Sequence, residues 1–195
     1  MATQSERRTA TRVSLISSAE KLFVDQGFEG TSTDDILTAA GVSRGAMYYH
    51  FSTKRDVFEA VFIATSDGAI RRSSRAAKKS DSPLESLING CLSWLKEVRK
   101  PQIATILIDQ APQVLGWERA RDLEAETSLG LMTTGLKAAQ DAGEIDVPSL
   151  ELAARFLNTV LAEAALVALH SSRRVPQSEL EASVRHFILS LSAKR

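Results

Sequence analysis

The sequence predicts an all-α fold: an N-terminal three-helix unit carrying a helix-turn-helix, followed by a C-terminal helical domain. Apolar residues recur at helical spacing along nearly the whole chain. Start and stop signals punctuate that pattern, with Ser32, Ser43 and Ser82-Pro83 placed to open helices and Gly27, Gly41 and Gly143 to close them. Two short helices are separated only by Gly41-Val42-Ser43, the layout of a helix-turn-helix.

Taken in order, Met1 to Arg8 is polar and reads as a mobile end. Helix one covers about Thr9 to Gln26, with Leu15, Ile16, Ala19, Leu22 and Phe23 on its apolar face and Gly27 stopping it. A second helix, Thr33 to Ala40, is capped by Ser32, with Asp35 three positions on as a weak capping box. Asp34 and Asp35 suit its positive end, and Gly41 suits the left-handed residue after it. Ser43 caps a third helix, Arg44 to His50. Met47 and Phe51, four apart, turn to the core and leave Arg44, Ala46, Tyr48, Tyr49 and His50 on the other faces.

A long helix then runs from Lys54 to Lys79, ending in the basic run RRSSRAAKK, which reads as a solvated helix end or a second nucleic-acid contact. Ser82-Pro83-Leu84-Glu85 starts the next, to Val98, with Leu84, Ile88, Cys91, Leu95 and Val98 on one face. A short helix from Pro101 to Ile108 leads into a loop, Asp109 to Trp117, around Pro112 and Gly116. A helix from Glu118 to Ala142 holds Gly130 and Gly135, where the lack of a side chain suggests close packing or room for something else. The helix from Pro148 to Ser171 is apolar almost all round, so it is expected to be buried on more than one side. A last amphipathic helix covers Pro176 to Ala193.

A helix held beyond a tight turn can lie in the DNA major groove. Spacing alone leaves a second reading open, in which both short helices merely pack and Tyr-Tyr-His-Phe is an aromatic core cluster. Bulk charge does not decide: 24 Lys and Arg balance 24 Asp and Glu. Residues 1–60 hold seven basic against eight acidic residues, 61–80 five against one, and 81–195 twelve against fifteen. Any DNA signal must lie in the placement of Arg7, Arg8, Arg12, Arg44, Lys54 and Arg55, the first three as a flexible arm. No nucleophile–base pair, paired acid, phosphate loop or metal spacing emerges, so neither an enzyme nor a cofactor is expected. A lone cysteine, no signal-like N-terminus and no run expected to span a membrane suit the cytoplasm.

Gly27-Phe28, Thr31-Ser32, Ile36, Ala40-Gly41-Val42-Ser43, Gly45, Tyr48, His50-Phe51 and Lys54 together resemble the N-terminal domain of tetracycline-repressor (TetR)-type regulators. The resemblance covers roughly the first third of the chain. Leu37 stands where that family usually has Ala, Met47 where it has Leu or Ile, and Ala46 where Ser or Thr is common. Ala46 thus offers DNA only a methyl group. Further on, DQAPQVLGW resembles a segment of the body of these regulators, departing from it at Gln110 and Gln113.

The resemblance implies a DNA-binding domain over 9–69, with its motif at about 32–51, and a ligand-binding and dimerisation domain over 70–195. It implies a transcriptional regulator, a repressor released from a near-palindromic operator by an unidentified small molecule. The alternatives are a helical protein-interaction module and a ligand-independent activator. DNA contact is assigned to Ser32, Thr33, Ser43, Arg44, Gly45, Ala46, Tyr48, Tyr49, His50 and Lys54. Arg44 is the candidate guanine reader; Tyr48, Tyr49 and Lys54 are assigned to phosphates. Residues 148–171 and 176–193 are expected to form a homodimer interface, and Cys91, Trp94, Trp117 and Met132 to line a ligand pocket.

Overall fold

Thr3 opens the first helix of the chain in this computed structural model, which describes residues 3–77, 80–171 and 175–192. Its hydroxyl accepts from the Glu6 amide while the Glu6 carboxylate takes the Thr3 N–H at 2.6 Å, closing a capping box. The Thr3 N–H, and after it the Thr3 hydroxyl, holds the Glu6 carboxyl below its ordinary range. Helix α1 therefore covers Gln4–Gly30, and Arg7 and Arg8 ride on its first two turns rather than on a mobile arm. Gly27, at φ 74 and ψ 169, kinks it where the sequence suggests a stop.

The next two elements follow their local signals. Helix α2, Thr33–Ala40, has Ser32 and Asp35 in a full capping box and ends on Gly41 at φ 66. Helix α3, Arg44–His50, is capped by Ser43, whose oxygen accepts from the Ala46 amide at 3.2 Å. Helix α4, Lys54–Ala77, follows. Leu15, Phe23, Ile36, Met47, Val57 and Phe58 are fully buried, and the rings of Phe23, Phe28 and Phe58 meet at 5.3 to 5.6 Å.

Two compact units divide the chain, one of Met1–Thr65 with Thr105–Ala120, the other of Ser66–Ala104 with Arg121–Arg195. The first unit thus takes in Thr105–Ala120, a segment distant from the rest of it in sequence. Within that segment Asp109 to Trp117, expected as a loop or bend, is helical except at Gly116. Helix α6, Pro101–Ala104, passes into a π-helical turn, Thr105–Gln110, and then into α7, Ala111–Leu115. Pro112 has no N–H to give and would crowd a regular turn before it. The wider π turn ends ahead of it, leaving Pro112 in the tolerant first turn of α7. Gly116, at φ 81, separates α7 from α8, Trp117–Asp141.

Polar contacts tie this segment into the first unit. Gln110 Nε2 donates to the Phe23 carbonyl at 2.7 Å, the Arg55 guanidinium to the Leu115 carbonyl at 2.6 Å, and Arg119 pairs with Glu59 at 2.5 Å.

The second unit packs around helix α5, Pro83–Val98, whose buried stripe is Leu84, Ile88, Cys91, Leu95 and Val98. Against it lie α9, Leu150–His170, and α10, Gln177–Leu189. Glu144 caps α5 from the α8–α9 connection, accepting from the Leu84 amide at 2.6 Å and the Ser82 hydroxyl at 3.0 Å. Gly135 lets α8 approach α5, since a Cβ there would stand 3.1 Å from Leu87 Cδ1.

Helix α9 departs from expectation twice. It is long and apolar enough, by length and composition, to cross a membrane, whereas the sequence reading expects no such run. It is also buried on one side only: Ala154, Leu157, Leu161, Ala164 and Ala165 face inward, while Leu152 and Phe156 are 52% and 62% exposed. One chain covers one face of this helix and leaves the other apolar face open.

Candidate nucleic-acid interface

Helix α3 is held from below and open above. Met47 is fully buried and Phe51 nearly so, which fixes the rotation of a helix only two turns long. That rotation leaves Ser43, Arg44, Gly45, Tyr48 and Tyr49 exposed, with Ala46 and His50 half-buried. Tyr48 and Tyr49 are 49% and 60% exposed, so they are not part of an aromatic core. A Cβ at Gly45 would meet nothing within 4 Å, so the backbone there is open to close approach.

Arg44 is not free. Its guanidinium donates to Asp34 of α2 at 2.5 Å, and both side chains are well exposed. Such a surface pair is worth about 0–1 kcal/mol, weak enough to be exchanged for a guanine edge with two acceptors. Arg8 lies over the Tyr49 ring at 4.5 Å, Arg12 over Phe51 at 5.3 Å, and Tyr49 meets His50 edge to face at 5.1 Å. Spacing does not mark Asp34 or Arg8 as a partner of the recognition helix. Each contact joins separate helices, and only the identity of the residues hints at it.

Three further assigned residues make contacts within the protein itself. Lys54 turns inward: its Nζ donates to the Phe28 carbonyl at 2.8 Å and the Thr31 carbonyl at 2.9 Å, 4.1 Å from the centre of the Phe28 ring. In the DNA-free protein its ammonium ties the end of α1 and the turn after it to α4. The Ser32 hydroxyl is committed to Asp35 at 2.6 Å, and Thr33 is half-buried beside it.

The four suggested pocket residues do not form one group within a unit. Cys91 and Trp94 share α5 and Met132 lies on α8, all in the second unit, whereas Trp117 belongs to the first and is 55% exposed. Cys91 is buried in the α5 stripe, and burial pushes its thiol up to about 12, so the reactive thiolate is suppressed.

A three-helix head that buries one face of its last helix and presents Arg, Tyr and His on the other defines a helix-turn-helix DNA-binding protein. Residues 15–61 match the model of bacterial regulatory proteins of the tetR family, and residues 84–192 match the tetracyclin repressor-like C-terminal domain. The chain belongs to the TetR family of transcriptional regulators and is a DNA-binding regulator, not an enzyme. It is 28% identical over 158 residues to the HTH-type transcriptional repressor BepR of Brucella suis, covering 75% of each chain. With the HTH-type transcriptional repressor KstR2 of Rhodococcus jostii the identity is 27%, covering 77% of this chain and 76% of the relative. The fold matches a TetR-family regulator from Pectobacterium atrosepticum with a TM-score of 0.82 at 24% identity, covering 99% of each chain. It also matches RolR in complex with resorcinol, with a TM-score of 0.76 at 17% identity over 97% of this chain and 90% of that one.

Proposed function

We propose that this regulator is a homodimeric repressor that binds a near-palindromic operator through α3 and is released by a small molecule bound in its body. The observation that carries the reading is the outward face of α3, polar and aromatic above a core-locked Met47. In this reading Arg44 leaves Asp34 to read guanine, Gly45 and Ala46 allow close approach, and Ser43, Tyr48, Tyr49 and His50 contact the backbone or flanking bases. Ser32 and Thr33 touch the backbone at α2. The head is assigned to 9–69 and the body to 70–195. Dimerisation uses α9 and α10, whose exposed Leu152, Phe156, Phe187 and Leu189 supply unpartnered apolar surface.

Support for a repressor comes from relatives such as BepR and KstR2, and for a small-molecule ligand from the resorcinol complex of RolR. A ligand releases DNA only by binding the DNA-incompetent state more tightly. Cys91, Trp94 and Met132 are the proposed lining residues.

Selection of bound sequences from random duplex DNA at fixed salt tests this. The expected product is a near-palindrome with half-sites about one helical turn, roughly 34 Å, apart. Repeating it with Arg44→Ala should relax preference at one base pair per half-site, at about 1–3 kcal/mol of discrimination. An unchanged preference would reject Arg44 as a reader, and no enrichment would reject α3 as the recognition helix.

A further inference from the structure

A helix that docks on DNA needs cations beside it to meet phosphate charge. Six cations lie in or near the motif, and most are spoken for. Arg44 is paired with Asp34 at 2.5 Å. Lys54 is turned onto the Phe28 and Thr31 carbonyls, and Arg55 donates to the Leu115 carbonyl at 2.6 Å. Arg12 lies over the Phe51 ring. Arg7 remains, and with it Arg8, whose ring contact is with the exposed Tyr49 of α3 rather than with a core ring such as Phe51. Both are exposed, and neither takes part in any of the ion pairs found among the described residues. The nearest carboxylate in sequence, Glu6, is occupied by the Thr3 amide.

These two arginines are also placed by the fold. With Gln4 and Thr11 of α1, and Ala46, Tyr49 and His50 of α3, they line a shallow, open cleft. The Arg8 guanidinium carbon lies over the Tyr49 ring, 4.5 Å from its centre, and none of the hydrogen bonds or ion pairs among the described residues engages its N–H donors. An arginine edge matches two phosphate oxygens at once.

We propose that Arg7 and Arg8 hold a phosphate of the DNA strand bordering the groove that α3 enters, in the cleft between α1 and α3. Arg8 also acts as a positioning residue: by stacking on Tyr49 it sets that side chain against the backbone, so the two bind as a unit. The proposal rests on α3 as the recognition helix. It shifts the main electrostatic contact from Lys54, at the start of α4, to the first two turns of α1.

The test uses the full chain and the site that the wild-type protein selects. Affinity is measured by fluorescence anisotropy between about 50 and about 200 mM salt for the wild type, the R7Q/R8Q double variant and K137Q, a surface charge control on α8. The double variant should fold normally, select the same sequence and bind it more weakly at low salt. The magnitude of its slope of log affinity against log salt should fall by about 0.9 for each phosphate that is no longer neutralised, while K137Q keeps the wild-type slope. In a Tyr49→Leu background the R8Q substitution should cost less than it does alone. A double variant with the wild-type slope overturns the proposal while leaving α3 as the reader. A changed consensus overturns it by placing these arginines on base edges. Failure of the wild type to select any site removes the reading of α3, and the proposal with it.

Discussion

Lys54, assigned to a phosphate from the sequence, also serves the fold of the DNA-free protein. Its ammonium satisfies the Phe28 carbonyl in the last turn of α1 and the Thr31 carbonyl after it, 26 and 23 residues away in sequence, above the face of Phe28. A hydrogen bond to a charged group contributes about 1.5–3 kcal/mol, and here the cation is only half-buried. Lys54→Met keeps the alkyl stem and removes the charge, so it should lower stability by about 1–3 kcal/mol. Urea unfolding midpoints read this directly. An unchanged midpoint together with a salt slope reduced by about one would return Lys54 to the phosphate backbone. The same residues show what was legible. Ser32, Gly41 and Ser43 act on neighbours within three or four positions, so sequence spacing alone located all three. Lys54, Asp34 and Arg8 act across helices, and their partners depend on rotations that composition does not encode.

At the scale of elements, α8 carries a group that its own pattern does not explain. Glu124 lies mid-helix, and burial pushes its carboxyl from 4.5 up to about 7, with Arg121 only partly offsetting that. A carboxyl whose folded pKa is raised binds more protons in the folded than in the unfolded state between those two values. The contribution of Glu124 to stability should therefore be largest below about 4.5, fall as pH rises toward about 7, and level off above it. The full effect is on the order of 3 kcal/mol. Glu124→Gln should flatten this slope and make the protein more stable than wild type at about pH 8, by chemical denaturation at both ends of the range. Equal pH slopes would place the carboxylate in water. Elements also differ in legibility. Caps and stripes located α2, α3 and α5, while the π turn at Thr105–Gln110 did not announce itself, because Pro112 and Gly116 read locally as loop residues. The two mid-helix glycines of α8 separate in the same way: Gly135 meets Leu87, whereas Gly130 faces open space. Only packing distinguishes them.

At the scale of the whole molecule, the apolar excess of α9 was visible in the sequence, but which side the protomer leaves open was not. The inward face is complete without a partner: Leu157 and Ala165 are fully buried within the single chain. Leu152 and Phe156, one turn apart, are more than half exposed, and Phe187 and Leu189 on α10 are each 38% exposed. This exposure separates folding from association, since a change at Phe156 removes little that the protomer itself buries. In the proposed dimer, Phe156→Glu would place a charge on each side of a two-fold interface, where an unpaired buried carboxylate costs several kcal/mol. The variant should keep its helix content and thermal cooperativity but sediment as a monomer at micromolar concentration. Its affinity for the full operator should fall by about 10²- to 10⁴-fold, because the second half-site is no longer bound by a tethered copy. Its affinity for an isolated half-site should be unchanged, since α3 is untouched. A variant that sediments as a dimer would move the interface off this face of α9. A monomer that still binds the full operator as tightly as the wild type would mean that the two recognition helices do not act together.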